Sequence, residues 1–222
     1  MQLNKFKEKI IFYSKKKWAE KSADKIFIEI KKVHKKKELV NIFLTGGRTS
    51  KLVYGYLKKK LTTYKKKINF FLGDERFTLK KNKTNSYLIK KNLTIFNNKY
   101  CNFFFFNLKK NIKTSLRIYE KNSPFPDIVL LTLGDDGHIA SIFNYSDVLL
   151  DRKSKFFISN KNNESFSRVS MTPNFIKKSR KIFLLVYGKK KITLFKSIIK
   201  KKYNNFPVNL IIKQSLCLVQ KN

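Results

Sequence analysis

Short apolar runs that end at a glycine constrain the fold of this chain more than any other feature. The clearest are Leu39–Leu44, residues 68–72 and residues 127–133, which are followed by Gly46, Gly73 and Gly134. None of them shows the regular polar and apolar alternation of a strand with one face in water. Runs of this kind are typical of parallel strands that are buried on both faces. Parallel strands need long crossover connections, which are usually helices.

Amphipathic helical patterns lie between these runs. Residues 15–37 place Trp18, Ile26, Ile30 and Val33 near one face, with lysines opposite. Further helices are predicted over residues 49–60, 85–93, 112–121 and 189–200. Further strands are predicted over residues 102–106, 156–159 and 181–187, with a final strand pair over 208–212 and 216–219. The repeated alternation predicts an α/β protein, a mostly parallel Rossmann-like sheet with helices on both faces, in a single domain over residues 1–222.

The net charge of +37 raises the question of a polyanionic partner. Its 51 basic residues against 14 acidic ones fit a nucleic-acid or anionic-membrane surface. However, the lysine clusters are scattered along the whole chain, and Asn, Ile, Phe and Tyr are abundant too. This pattern is typical of an A+T-rich coding bias, so we expect no specific nucleic acid and no membrane as partner.

Other compositional features narrow the class further. The two cysteines, Cys101 and Cys217, lie in apolar surroundings and are expected to be buried thiols. The apolar runs are too short to span a bilayer, and residues 1–17 lack the apolar core of a signal peptide. We therefore expect a cytoplasmic protein. His34, in a lysine-rich helix, is expected to be solvated.

Two polar motifs follow the first two runs. In open α/β sheets, ligands bind beyond the carboxyl ends of the strands. Gly46 and Gly47 allow a sharp turn that presents backbone N–H groups, next to a helix N-terminus, to an anion; the alternative is a simple turn capped by Thr49 or Ser50. In the Gly-Asp-Glu-Arg motif of residues 73–76, Arg76 is suited to a phosphate, and the alternative is a surface ion pair.

Two further motifs follow later strands. His138 follows Gly134 and Gly137, which bend the backbone so that the imidazole can project into a cleft. A histidine in such a place can act as general acid and base, unless it is purely structural. Arg168 and Lys191, the latter at the start of the helix after Gly188, could each contact a phosphate. A single lysine carries little information in so lysine-rich a chain.

Together, these motifs resemble those of the 6-phosphogluconolactonase family in order and spacing over about residues 40–200. The shared elements are the glycine loop of residues 44–50, Gly-Asp-Glu-Arg at 73–76, Thr84-Asn85, Asp-Gly-His-x-Ala-Ser-x-Phe at 136–143, Arg-x-Ser-x-Thr at 168–172 and Gly-x-x-Lys at 188–191. The chain departs from the family pattern at Arg48, Ser50 and Leu79, and residues 146–166 match weakly.

The resemblance implies hydrolysis of 6-phospho-D-glucono-1,5-lactone to 6-phosphogluconate in the oxidative pentose phosphate pathway. It implies that His138 is the catalytic base and that Asp74 orients His138 or the sugar hydroxyls, with Asp136 the less favoured orienter. Arg76, Arg168 and Lys191 would bind the phosphate, aided by backbone N–H groups at Gly46 and Gly47. No metal or other cofactor is implied, the small-molecule partner is a phosphorylated sugar lactone, and we expect a monomer.

Two alternatives remain at this point. A glucosamine-6-phosphate deaminase shares the Asp-Gly-His loop but typically has a Glu five residues after the His, where this chain has Phe143. It also typically has Asp-Glu-Tyr where this chain has Arg76 after Glu75. Both differences favour the lactonase. The other alternative is a basic nucleic-acid-binding protein, for which the sequence has no recognisable motif.

Overall fold

The structure, a computed structural model, describes residues 8–93, 98–144, 154–161, 164–200 and 205–221. Its main sheet has seven parallel strands in the order β1-β10-β9-β6-β2-β3-β5. These strands are β1 Ile10–Tyr13, β2 Leu39–Leu44, β3 Lys67–Leu72, β5 Cys101–Phe104, β6 Ile128–Thr132, β9 Lys181–Val186 and β10 Ser215–Gln220. The predicted parallel α/β architecture is confirmed.

Six α-helices connect the strands in the described residues. They are α1 Trp18–His34, α2 Arg48–Thr62, α3 Asn85–Asn92, α4 Ile112–Asn122, α5 Pro173–Lys177 and α6 Lys189–Ile199. Three short 3-10 helices cover Lys81–Lys83, Pro207–Leu210 and Ile212–Gln214. In the part of the chain that the structure describes, none of the helices has both the length and the apolar character needed to cross a bilayer.

The apolar stripe of α1 is buried, as its spacing predicts. Trp18, Ile26 and Ile30 are fully buried. The indole N–H of Trp18 donates to the carbonyl of Leu218 at 3.0 Å, so the one polar atom of this ring is satisfied inside the core. Phe43 of β2 points to the other side of the sheet, where its ring packs against Phe156 and Phe175.

A second, antiparallel sheet lies beside the main one. Its order is β4-β8-β7, with β4 Asp74–Arg76, β7 Phe156–Ser159 and β8 Arg168–Met171. The sequence predicted only the β7 segment, because β4 follows β3 after the single residue Gly73 and looks like a loop motif. This sheet carries Asp74, Arg76 and Arg168 together.

The chain termini differ from the prediction. The final strand pair is wrong: Pro207–Leu210 is a 3-10 helix, and β10 instead lies between β9 and β1 in parallel pairing. Strand β1 was not predicted, because its four apolar residues are too few to show the repeating pattern of a strand. It becomes a strand by pairing Ile10 with Cys217, almost the whole chain away.

Candidate functional site

The loops after β2, β3 and β6 are tied together by one buried carboxylate. Asp74, only 3% exposed, accepts hydrogen bonds from the hydroxyl of Thr45 at 3.1 Å and from the hydroxyl of Ser141 at 2.9 Å. These partners belong to the glycine loop and to the histidine loop, respectively. The carboxyl ends of these strands therefore form one polar face, as the sequence predicts.

The glycine loop leaves the start of α2 open. Gly47 has φ +101°, which favours glycine, and it precedes α2 without any side-chain cap. The hydroxyl of Ser50 donates to the carbonyl of Gly47, and no side chain caps α2, so the alternative of a simple turn capped by Thr49 or Ser50 does not hold. The first N–H groups of a helix without such a cap are available to an anion.

Gly46 is required by close packing. A Cβ on Gly46 would lie 1.8 Å from the side-chain oxygen of Asn85. The side-chain nitrogen Nδ2 of Asn85 donates to the backbone carbonyl of Asp74 at 2.9 Å. The glycine loop, β4 and the start of α3 are therefore in direct contact at this point.

Lys191 reaches from α6 to the glycine loop. Its ammonium group lies 3.4 Å from the hydroxyl of Thr49, and burial lowers its pKa, with Asp135 and Asp136 acting in the opposite direction. A cation in this position joins the loops after β2, β6 and β9. Lys191 thus lies with Gly46 and Gly47 at the carboxyl ends of the strands.

His138 is held against the backbone of its own loop. A Cβ on Gly134 would lie 2.1 Å from the imidazole Nδ1, so only glycine allows this ring position. The carbonyl of His138 accepts from the N–H of Gly134 at 2.8 Å, and Ala140 has the unusual φ of 49°. Such backbone strain is common where a side chain must be held for function.

Asp136 is the carboxylate that pairs with His138. The imidazole Nδ1 forms a short hydrogen bond with Asp136 Oδ1. This hydrogen bond holds the pKa of Asp136 well below its usual range, although partial burial opposes the shift. An ionised carboxylate only accepts, so Nδ1 carries the proton and Nε2 is left as the basic nitrogen.

The sequence left two roles for Asp74, and the structure does not support the first, the pairing with His138; the second, orienting the sugar hydroxyls, stays a prediction. Both carboxylate oxygens of Asp74 accept from Thr45 and Ser141, and in the described residues no hydrogen bond joins Asp74 to His138. Asp74 joins the loops, whereas Asp136 orients the imidazole. The reason is local: Asp136 lies two residues before His138 in a tight turn, where its side chain reaches Nδ1 directly.

Glu75 is a structural residue rather than half of a surface ion pair. It is fully buried, and it accepts from the backbone N–H groups of Arg76, Asn85 and Ser86 at 2.6–2.8 Å. Burial raises its pKa, and the three N–H donors partly offset this shift. Glu75 therefore satisfies the first amides of α3 from outside the helix.

Arg76 and Arg168 lie directly opposite each other on β4 and β8. Like charges in such a cross-strand pair repel each other unless an anion lies between them. Here Glu164 supplies the anion: it accepts from Nε and Nη2 of Arg168 at 2.6–2.8 Å. Burial raises the pKa of Glu164, but Arg168 and, more weakly, Lys161 and Arg76 outweigh this and lower it.

The guanidinium of Arg76 is only partly satisfied. Its Nη1 donates to the carbonyl of Lys83 at 2.8 Å, while Nε is buried without a partner in the described residues. Phe143 connects the arginine pair with the histidine: its ring lies 5.0 Å from the ring of His138 and 5.1 Å from the guanidinium carbon of Arg168. The arginine pair therefore lies next to the imidazole, with Phe143 between them.

His34, the second histidine, is not solvated as predicted. It is 6% exposed, at the end of α1, and its Nε2 lies 3.0 Å from the carbonyl of Lys67. Its Nδ1 lies 2.9 Å from the hydroxyl of Tyr64. A carbonyl only accepts, so Nε2 carries the proton. Burial lowers the pKa of His34 and favours the neutral ring, in which Nδ1 accepts from the hydroxyl of Tyr64.

Sequence reasoning missed three contributors to the site. Ser141 and Asn85 lie within motifs that were recognised, but their partner Asp74 belongs to a different motif, 67 residues from Ser141 and 11 from Asn85. Glu164 falls in the weakly matching region 146–166, part of which lies outside the described residues. Its only sequence signal is its place four residues before Arg168. In the described residues, no three His, Cys, Asp or Glu side chains group as they would around a metal ion.

Comparison with known proteins identifies the family. Residues 13–219 match the family described as "Glucosamine-6-phosphate isomerases/6-phosphogluconolactonase". A "Probable 6-phosphogluconolactonase" of Dictyostelium discoideum is 30% identical over 171 residues, which cover 70% of this chain and 72% of the relative. The 6-phosphogluconolactonase of Thermotoga maritima is 28% identical over 185 residues, covering 80% and 82%.

Solved structures share the fold. The crystal structure of the Thermotoga maritima 6-phosphogluconolactonase superposes with a TM-score of 0.81 at 24% identity, covering 96% of this chain and 99% of that one. A monomeric glucosamine-6-phosphate deaminase superposes with a TM-score of 0.74 at 18% identity, covering 95% of each chain. The fold alone thus does not separate the two activities. On the match over residues 13–219, the chain belongs to the glucosamine-6-phosphate isomerase/6-phosphogluconolactonase family.

Proposed function

We propose that this protein is a 6-phosphogluconolactonase that hydrolyses 6-phospho-D-glucono-1,5-lactone to 6-phospho-D-gluconate. The observation that carries the proposal is the pairing of His138 with Asp136 beside the facing arginines Arg76 and Arg168. A base and an anion site at this spacing suit a phosphorylated substrate with a hydrolysable carbonyl.

In the proposed mechanism, Nε2 of His138 takes a proton from water as the water oxygen attacks the lactone carbonyl. The tetrahedral intermediate then collapses, the bond between the carbonyl carbon and the ring oxygen breaks, and the imidazolium returns the proton to that oxygen. Asp136 stabilises the imidazolium and keeps the basic nitrogen directed away from the loop. The carboxylic acid product ionises in water.

Arg76 and Arg168 would hold the phosphate, with Lys191 and the open N–H groups after Gly47 as further donors. In the structure Glu164 already occupies Arg168, so the phosphate would have to displace this carboxylate. This exchange of one anion for another would keep the guanidinium of Arg168 paired before and after binding, and the phosphate would add a partner for Arg76. Positively charged donors near the carbonyl would also stabilise the developing oxyanion.

In this proposal Asp74 positions two loops and takes no part in the proton transfer. Because it joins Thr45 to Ser141, it keeps the glycine loop beside the histidine loop. We also retain the sequence-based proposals of a monomeric, cytoplasmic enzyme whose partner is the sugar lactone and not a specific nucleic acid or membrane.

The deaminase alternative is the chief competitor, because the family contains both activities. Phe143 contacts His138 where the deaminase typically has a proton-carrying Glu. Its ring cannot transfer a proton, and it packs on Arg168 instead. This contact favours the lactonase.

The test is to offer the purified protein freshly generated 6-phosphogluconolactone and, separately, glucosamine 6-phosphate. Hydrolysis should be followed at neutral or mildly acidic pH, with the spontaneous rate subtracted. We expect accelerated hydrolysis of the lactone and no ammonia from the amino sugar. Ammonia release without lactone hydrolysis would overturn the proposal in favour of the deaminase.

A further inference from the structure

A buried tyrosine is hydrogen-bonded to the glycine loop of residues 44–50. Tyr54, in the second turn of α2, is fully buried, and its hydroxyl donates to the backbone carbonyl of Thr45 at 2.6 Å. Burial raises the pKa of Tyr54, so the phenol keeps its proton and remains a donor. The proposed proton transfer makes no use of this side chain. Its one polar atom instead holds a loop that borders the candidate site.

Thr45 is held through both its backbone and its side chain. Its carbonyl accepts from Tyr54 on α2, and its hydroxyl donates to Asp74 on β4 at 3.1 Å. Among the described residues, no other donor reaches the carbonyl of Thr45. A buried carbonyl without a partner is unfavourable. Removal of the Tyr54 hydroxyl should therefore drive this peptide group to reorient.

The same hydrogen bond sets the direction of the next N–H group. A trans peptide is planar, and its C=O and N–H point in opposite directions. Because the carbonyl of Thr45 faces Tyr54, the N–H of Gly46 points away from Tyr54. Within the part of the chain that the structure describes, this N–H has no hydrogen-bond acceptor. The peptide is thus fixed with its donor directed away from the body of α2.

The two glycines make the rest of the loop easy to deform. Glycine loses more conformational freedom on ordering than any other residue. Gly47 is half-buried and Arg48 is exposed, so the loop opens to solvent where α2 begins. The hydroxyl of Ser50, at a position where the chain departs from the family pattern, donates to the carbonyl of Gly47 at 2.9 Å. Two hydroxyl groups of α2 therefore hold two carbonyls of this loop.

Lys191 places a cation at the same end of α2. Its ammonium group lies 3.4 Å from the hydroxyl of Thr49 in the first turn. Uncapped N–H groups beside an ammonium group favour an anion. Donors that are oriented before the ligand arrives bind it more tightly, because no free energy is lost in ordering them. The residue that orients this loop therefore affects the affinity for an anion.

We propose that Tyr54 is a positioning residue that preorganises the glycine loop for the phosphate group of the substrate. The proposal rests on the proposed function in one respect, that the ligand is a phosphorylated sugar. Tyr54 does not touch the ligand. It holds Thr45, and the held peptide keeps the loop in the orientation that presents its N–H groups. Without the hydroxyl, the phosphate must reorder the loop on binding, whereas the proton transfer at His138 is unchanged.

The first test is Tyr54→Phe, which keeps the ring and removes the hydroxyl. Isothermal titration of the full chain with 6-phosphogluconate should show binding weakened roughly tenfold, the effect of about one hydrogen bond. Binding of gluconate, which has no phosphate, should change little. In steady-state kinetics on fresh lactone, KM should rise while kcat stays close to that of the parent chain, as expected for a loss of binding alone.

The matched control is Tyr64→Phe. It also removes one tyrosine hydroxyl, which is hydrogen-bonded to His34 beside the amino end of β3. We expect this variant to lose stability and to keep the parent's KM and its affinity for 6-phosphogluconate. A loss of stability alone therefore does not reproduce the effect expected of Tyr54→Phe.

The small number of glycines allows a direct observation of the loop. The chain has seven glycines, and Gly46 alone among them follows a threonine. Glycine labelled with ¹⁵N and threonine labelled with ¹³C at the carbonyl therefore assign the amide signal of Gly46. We expect 6-phosphogluconate to shift this signal in the parent chain. In Tyr54→Phe the signal should be displaced before any ligand is added.

Unchanged affinity for 6-phosphogluconate in Tyr54→Phe would overturn the proposal, as would an equal loss of gluconate binding. If this variant does not fold, the labelled parent chain decides: a shift of the Gly46 signal by the phosphate ester supports the proposal, and an unmoved signal overturns it. A chain that hydrolyses no lactone is titrated with glucosamine 6-phosphate instead. Weaker binding of that ester in Tyr54→Phe would support the role of Tyr54 and contradict only the proposed function. No binding of either ester by the parent chain would overturn both.

Discussion

The two histidines of this chain lie in regions that use the same side chain in opposite ways. His34 ends α1 against the amino end of β3, buried, with both ring nitrogens engaged by a carbonyl and a phenol. His138 lies beyond the carboxyl end of β6, with its side chain 26% exposed, and within the described residues only its Nδ1 has a hydrogen-bond partner, a carboxylate. The difference teaches that a free nitrogen and an acidic partner, rather than the residue type, make a histidine a candidate base.

The largest effect should come from His138. His138→Asn should lower kcat for the lactone by roughly 10²–10⁴-fold, the usual contribution of acid–base catalysis. Steady-state kinetics on fresh lactone measure this. The matched control is His34→Gln, which should lose stability but keep kcat. Equal losses of kcat in the two variants would contradict the assignment of His138, and not His34, as the catalytic base.

The arginine pair should produce the next largest effect. Arg76→Ala and Arg168→Ala each remove a charge-assisted contact worth about 1.5–3 kcal/mol, so binding of 6-phosphogluconate should weaken by about 10- to 150-fold. Titration calorimetry with 6-phosphogluconate and with gluconate tests this. Similar losses for both ligands would indicate that the arginines only support the fold.

A smaller effect on kcat is expected from the partner of His138. Asp136→Asn keeps the shape but removes the ionised acceptor, and should lower kcat by roughly fivefold to tenfold, since the pair is partly exposed. Asp74→Asn should mainly lower the melting temperature, because it weakens the junction between Thr45 and Ser141. The pH profile separates them: Asp136→Asn should shift the acidic limb of kcat, and Asp74→Asn should leave it in place. The reverse pattern would restore Asp74 as the orienter.

Glu164 allows a test in the opposite direction from the arginine variants. Glu164→Gln removes the charge that competes for Arg168, so 6-phosphogluconate should bind about two- to fivefold more tightly. The measurement is the same calorimetric titration. Glu29→Gln, which removes a carboxylate paired with Lys32 on α1, is the control and should have no effect. Weaker binding in Glu164→Gln would mean that this carboxylate positions Arg168 instead of competing for it.

The smallest effect concerns stability and His34. Burial lowers the pKa of His34 below its ordinary value, so the folded protein favours the neutral ring. Its contribution to stability is present above about pH 6.5, the unfolded pKa, and is lost as the pH falls through the lower folded pKa. Urea unfolding at a series of pH values should show this loss in the parent chain and a smaller one in His34→Gln. An identical pH dependence in both proteins would contradict the buried neutral ring.

Much of the sheet could be predicted, because the information is local. Strand β2 has the predicted bounds, and α1, α2, α4 and α6 agree to within a few residues, since their apolar spacing reports which face is buried. Strands β1 and β4 could not be predicted. Each is too short to show a period and exists only because a partner strand, distant in sequence, pairs with it.

The sequence by itself determined the parallel α/β fold, the convergence of polar loops at the carboxyl ends of the strands, and His138 as the candidate base. The spacing of apolar residues and the positions of glycines can be seen along the chain, without knowing which elements pair in the fold. Only the tertiary structure decided which carboxylate meets His138, that Glu164 occupies Arg168, and that His34 is buried. These are choices of hydrogen-bond partner between elements far apart in sequence, where shifts of an ångström decide the outcome and no pattern along the chain records them.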